Sequence, residues 1–296
     1  MPRTLPSIRI IGAACGHGSP DPRCAAGPEA LRGAGLLERV ALLRPGAAWD
    51  ATLACAEGDA LAAIAELCTR LAAKTGAAVE NGALPLVLTG DHSCAVGAWA
   101  GVSRALAPRG RLGLVWVDAH LDSHTPATSH TGAINGMPLA ALLGAGDASL
   151  TGCGGPGAKI LPGNLCIVGA RSYEEEELRF LTGSGVRIYF ADEVARRGLA
   201  AVMRDAVDLA AASTTGFGIS IDVDVIDPRE APGVGTPAAD GLAATGLCEA
   251  LRGLGCHPAL AGIEISEYNP ARDGDGTTAR IVMDLVEALL EGKAPS

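Results

Sequence analysis

The sequence predicts an α/β protein in which a parallel sheet is covered by helices on both faces. Short apolar runs at residues 8–12, 84–89, 111–118, 164–169, 186–190, 217–222 and 259–265 alternate with stretches of helical period. Apolar residues make up 48% of a 296-residue chain, enough for a large core, while aromatics are only 3%. Ala, Val, Leu and Gly must therefore fill that core. Clusters of acids and histidines end several of the runs, as expected where open α/β sheets bind ligands at the carboxyl ends of their strands.

The elements follow in order. The first run, "IRIIG", is a strand, and "GPEALR" (27–32) places Pro28 in a first helical turn. Residues 59–73 put Leu61, Ile64, Leu67, Cys68 and Leu71 on one helical face. The run 84–89 leads into "TGDHS", and "LGLVWV" (112–117), apolar at every position, suits a strand buried on both sides. The Gly-rich stretch 142–164 reads as a long loop with one short helix. "EEEE" (174–177) reads as a helix start, where acidic side chains favour the positive end of the helix dipole. The last helix carries Ile281, Val282, Leu285, Val286 and Leu289 on one face, with Thr277 or Thr278 as its N-cap. No linker, internal repeat or low-complexity tail divides the chain, so residues 1–296 are read as a single domain.

Charge and cysteine usage exclude several classes. A net charge of −10 and a pI of about 5.1 argue against nucleic-acid binding through a basic surface. The nine cysteines are odd in number and form no C-x-x-C pair. No signal-peptide core and no run of 18 apolar residues occurs. The expectation is a soluble cytoplasmic protein with reduced thiols and no membrane partner. Cys94, just after "GDHS", is expected to be a buried structural thiol.

The segment "VDAHLDSH" (117–124) alternates ionisable and small or apolar residues. Side chains at i, i+2 and i+4 of an extended chain share a face, which brings Asp118, His120 and Asp122 together. "SIDVDVIDP" (220–228) repeats the device with Asp222 and Asp224, and "TGDHS" (89–93) adds His92. Four carboxylates in one small volume would repel and take up protons unless cations lay among them. Two divalent ions with bridging carboxylates resolve the conflict, and a set of oxygen and imidazole donors without thiolate suits Mn²⁺ better than structural zinc. Such a pair lowers the pKa of a bound water, which implies hydrolysis at an electrophilic carbon or phosphorus.

"GDHS", "DAHLD" and "SIDVDVIDP", in this order and separation, resemble the three motifs of the ureohydrolase family of arginases, agmatinases and relatives. The likeness extends from "GPEALR" to "GIEISEYNPARDGDGTTARI". It implies a three-layer α/β/α arginase-like fold with a central parallel sheet of about eight strands, two Mn²⁺ per chain, and homo-oligomers, trimers or hexamers. By that resemblance one ion takes His92, Asp118, Asp122 and Asp222, and the other Asp118, His120, Asp222 and Asp224. A hydroxide between the metals attacks the guanidinium carbon, and Asp122 passes a proton to the leaving amine. Glu267 corresponds to the carboxylate facing the guanidinium, with Thr236 beside it.

The loop "SHTPATSHTGAINGMPLA" (123–140) resembles the arginase loop more than the agmatinase one. His124 stands where arginases usually have Asn, and Thr131 where they usually have Ser; both can hydrogen-bond a carboxylate. Glu174 and Glu177 in "GARSYEEEE" match the pair that grips the α-amino group, with Glu174 in place of the usual Asp. Asn135 departs most, since arginases commonly carry a His there as a proton shuttle. A carboxamide can position a group but cannot ferry protons, so His124 or His130 would have to substitute. The resemblance thus implies an amidinohydrolase of L-arginine giving L-ornithine and urea. N-hydroxy-L-arginine, agmatine, guanidinobutyrate and formiminoglutamate are the alternative substrates. Zinc deacetylases share the overall fold but lack the double aspartate pair, and a non-catalytic guanidine-binding homologue is the third reading.

Overall fold

The computed structural model describes residues 5–292, so the outermost residues of the 1–296 domain reading lie outside the described residues. Eight strands are formed: β1 (Ile8–Ala14), β2 (Ala48–Ala54), β3 (Leu84–Thr89), β4 (Leu112–Val117), β5 (Ile160–Ala170), β6 (Arg187–Phe190), β7 (Gly216–Asp222) and β8 (Leu260–Ser266). They make one sheet in the order β2-β1-β3-β8-β7-β4-β5-β6, and every pairing is parallel. Strands β3, β4 and β7 are buried at every residue, as their unbroken apolar runs require.

Helices cover both faces. On one face Ile10, Leu86, Val115, Ile219 and Ile263 pack against helices Leu36–Leu43, Leu199–Ala211 and Thr277–Leu290. On the other, Ile11 and Val87 meet helix Ala60–Glu80, while Leu114, Trp116 and Ile167 meet helices Ala95–Leu106 and Glu175–Ser184. Parallel strands need such crossovers, which explains the strict alternation along the chain. Strands β3, β8, β7 and β4 are consecutive in the sheet. Their carboxyl ends carry "GDHS", "EYNP", "DVD" and "DAHLD", so the topology places four separate clusters side by side.

The structure differs from the sequence reading in three places. Strand β2, "AWDATLA", lies at the sheet edge and is half-buried or exposed along its length, so it lacks the apolar run that marks the others. Strand β5 begins at Ile160, inside the stretch read as a loop, where helix Ala148–Thr151 is the expected short helix. The last helix is capped at Gly276, with φ 68°, rather than at Thr277 or Thr278. Its first N–H, from Thr277, donates to Asp275 Oδ1 at 3.0 Å and the next two, from Thr278 and Ala279, to the Asp273 carboxylate at 2.9 Å, while the Thr278 hydroxyl accepts from the Gly233 N–H.

Gly218 in β7 makes room for the indole of Trp99. A Cβ there would lie 2.0 Å from Trp99 Cζ3, and Trp99 is only 1% exposed. Gly218→Ala should therefore destabilise the fold by about 2–3 kcal/mol through overpacking. The midpoint of urea unfolding should fall without a change in slope; an unchanged midpoint would show that the Trp99 seat is loose.

Candidate functional site

The site begins where β4 ends. Asp118 follows the strand, and the chain bends so that Asp122 adopts φ 44°; Glu267, after β8, adopts φ 67°. Both are non-glycine residues held in the left-handed region, a strain that only a well-determined surrounding structure sustains. The Nδ1 of His92 lies 3.3 Å from Asp118 Oδ2, 3.1 Å from Asp122 Oδ2 and 3.0 Å from Asp222 Oδ2. The Nδ1 of His120 lies 3.5 Å from Asp118 Oδ1 and 3.1 Å from Asp224 Oδ2. Asp118 thus faces one group with each oxygen. Asp222 falls in the first group, and its Oδ1 accepts the N–H of Asp224, a member of the second, at 2.8 Å.

The protein sets the orientation of His92 from behind. Ser220 donates its hydroxyl proton to Glu264 Oε2 at 2.5 Å, so its oxygen is left to accept from His92 Nε2 at 3.0 Å. Thr89 and the Trp99 indole also donate to Glu264, at 3.2 and 3.1 Å. With its proton on Nε2, the imidazole turns the Nδ1 lone pair toward three carboxylates. Trp116 stacks on the ring at 4.0 Å and donates its indole N–H to Asp118 Oδ2 at 2.8 Å.

This arrangement fits divalent cations. His92 Nδ1 and Asp224 Oδ1 are buried without a hydrogen-bond partner among the described residues. A lone pair facing carboxylates is unfavourable unless positive charge stands between them. Without metal, protons must fill that role. Burial pushes the Asp122 carboxyl up to about 7, helped by the charge of Asp118. Burial and the charges of Asp224 and Asp118 push Asp222 well above the usual carboxylate range. Burial disfavours a charged His92, yet Asp118, Asp122 and Asp222 together raise it well above an ordinary histidine.

A cavity opens over the two groups. His120, Asp122 and Asp222 form its floor, and among the described residues no lysine or arginine lines it. Asn135, His124, Glu174 and Glu177 are among its wall residues. Glu267 stands behind Asn135. Its Oε1 accepts the His92 N–H at 3.0 Å and the Asn135 amide at 3.1 Å, while its buried Oε2 has no hydrogen-bond partner among the described residues. Burial, with the nearby Asp91, pushes this carboxyl up to about 8.

At the cavity mouth, His124 Nε2 lies 3.1 Å from Glu174 Oε2 and 3.5 Å from Glu177 Oε2. Glu177 is buried and accepts the N–H groups of Ser123 and Glu174, each at 3.0 Å. Glu174 caps helix Glu175–Ser184, so 174–177 is both a helix start and a cavity wall. Thr131 is exposed at the rim, and its hydroxyl accepts the Ala133 N–H at 3.2 Å. Thr236 lines the cavity and its hydroxyl donates to Asp224 Oδ2 at 3.0 Å, while a Cβ added at the neighbouring Gly235 would stand 3.1 Å from Glu267 Oε2.

The sequence reading did not identify Ser220, Glu264 or Trp116. Each lies two residues before a site residue or a site-facing position (Asp222, Ser266 and Asp118), so the same i, i+2 alternation carried the signal.

Comparison with known proteins agrees with this geometry. The model of the Arginase family matches residues 6–291. The chain is 38% identical to the arginase of Bacillus caldovelox over 297 residues, covering 97% of this chain and 98% of that protein. Among solved structures it is similar to the arginase of Bacillus subtilis, with a TM-score of 0.89 and 35% identity over 97% of this chain and 99% of that one. It is also similar to an Entamoeba histolytica arginase in complex with L-ornithine, with a TM-score of 0.86 and 25% identity over 99% of this chain and 100% of that one.

Proposed function

The chain belongs to the arginase family, and on that premise we propose that it hydrolyses L-arginine to L-ornithine and urea with two manganese ions as cofactor. That it is an amidinohydrolase follows from the family and its relatives. The observation that carries the finer reading is the pair of His–carboxylate groups joined through Asp118 beneath an acidic cavity. His92, Asp118, Asp122 and Asp222 would hold one ion, and Asp118, His120, Asp222 and Asp224 the other. When bound, the ions supply Lewis acidity and make ionised water available near neutral pH.

The chain's own residues do the rest. The free Oε2 of Glu267 accepts a guanidinium N–H and fixes the orientation of the carbon to be attacked. Asn135 holds the other oxygen of Glu267, so we assign it as a positioning residue rather than a proton carrier. Asp122 takes up a proton at its carboxylate and delivers it to the leaving amine. Glu174 and Glu177 receive the α-ammonium, and His124 and Thr131 the α-carboxylate. The Entamoeba relative carries L-ornithine, which supports an amino-acid substrate here. The reading includes one domain over the whole chain, a homo-oligomer of three or six copies as the family resemblance implies, and a cytoplasmic location. No helix among the described residues is long and apolar enough to cross a membrane.

A product assay with added Mn²⁺ tests the substrate. Arginine should give urea and ornithine, with a kcat/KM about 10–100-fold above that of agmatine. Agmatine has no carboxylate, which leaves polar groups at the mouth unpaired at about 1–3 kcal/mol each. Equal turnover of agmatine would refute the placement of His124 and Thr131. Turnover of N-hydroxy-L-arginine, guanidinobutyrate or formiminoglutamate in preference to arginine would move the substrate assignment while leaving the metal site intact.

A further inference from the structure

Cys15 and Cys55 follow β1 and β2 directly, and those strands are parallel, with Ala14 opposite Ala54. The register carries the two cysteines to facing positions, and the Cys55 N–H donates to the Ala14 carbonyl at 3.2 Å. Their sulfurs stand 2.9 Å apart. Adjacent strands lie about 4.8 Å apart, inside the Cα separation of about 4.4–6.8 Å that a disulfide spans. Cys15 is fully buried, whereas Cys55 is partly exposed, so a small oxidant can reach the pair from the Cys55 side. Neither thiol takes part in the chemistry described above.

We propose that Cys15 and Cys55 form an oxidative modification site, closing to a reversible disulfide when the protein meets hydrogen peroxide. Peroxide oxidises the Cys55 thiol to a sulfenic acid and releases one water. The Cys15 sulfur then attacks the Cys55 sulfur, the S–S bond forms, and hydroxide leaves with the Cys15 proton as a second water. Two thiols and one peroxide thus become one disulfide and two waters. Cys15 is suited to the attack: the Cys94 and Cys55 thiols beside it hold it below the usual thiol range in spite of burial, whereas burial pushes the Cys55 thiol well up, which makes the peroxide step the slow one and calls for excess peroxide.

The bond would fasten the edge strand β2 to the segment that supports His92. The Cys15 carbonyl accepts the Asp91 N–H at 2.8 Å, and the Asp91 carboxylate accepts the Gly18 N–H at 2.9 Å. It would also close a loop of 40 residues, which restricts the unfolded chain and raises the melting temperature, by about 5 °C for a protein of this size.

The test uses the metal-loaded protein, treated with excess hydrogen peroxide, quenched with catalase, then alkylated and denatured. Free thiols should fall from the nine in the sequence to seven, peptide mapping should join Cys15 to Cys55, and dithiothreitol should restore all nine. Cys55→Ser, at a partly exposed position, should lose no pair and show no rise in melting temperature. Nine thiols after peroxide, a bond that joins other cysteines, or a pair still lost in Cys55→Ser would each overturn the proposal.

Discussion

Asp118→Ala should cost at least about 10³-fold in turnover and leave a protein that cannot retain two metal ions. Asp118 is the residue whose two oxygens face both His–carboxylate groups, at 3.3 Å from His92 Nδ1 and 3.5 Å from His120 Nδ1. Losing it removes a ligand from each ion at once. The contribution of the ions to the barrier is several kcal/mol, and each 1.36 kcal/mol is tenfold in rate. The substitution also strips acceptors from the Trp116 indole and the His120 N–H. Metal analysis and circular dichroism should therefore accompany the urea assay, to separate lost metal from lost fold. Full activity with a folded spectrum would sink the assignment of Asp118 as a shared ligand.

Glu267→Gln should lower kcat/KM by about 10²–10³-fold while leaving metal content unchanged. The carboxamide can keep its oxygen toward the His92 N–H and the Asn135 amide, which occupy Oε1. Its NH₂ then replaces Oε2, the buried atom without a partner among the described residues. A donor would face the guanidinium N–H groups where a carboxyl oxygen stood ready to accept, so substrate binding and orientation suffer together. The two substitutions thus separate along different readouts, metal stoichiometry for Asp118 and activity at constant metal for Glu267. A Glu267→Gln variant with unaltered kcat/KM would move guanidinium recognition elsewhere in the cavity.

Much of the fold was legible because parallel strands buried on both faces read as unbroken apolar runs. Leu84–Thr89 and Leu112–Val117 have no polar position in their interior that could hide them. Strand β2 was not legible, since an edge strand half open to solvent need not be apolar. The helix cap at Gly276 was missed because the capping carboxylate comes from Asp273, on a loop whose path a Ser/Thr cap rule does not consider.

For the site, the motifs "DAHLD" and "DVD" pointed to Asp118, His120, Asp122, Asp222 and Asp224, but the strands do not continue through them: β4 ends at Val117, β7 at Asp222, and Val223–Val225 is a short 3-10 helix. The bends after the strands, together with the sheet order β3-β8-β7-β4, bring these side chains together. The buried support of His92 through Ser220 and Glu264 needed coordinates, because Glu264 in "GIEIS" looks like a strand acid of no special kind. Its significance comes from complete burial and from the three donors, Thr89, Trp99 and Ser220, that converge on it.

The most direct test is the metal stoichiometry of the purified chain after loading with Mn²⁺ and removal of excess ion. Two ions bound per chain, with urea formed from arginine in proportion to the occupancy of both, is the predicted result. A single ion per chain at full activity would contradict the paired site.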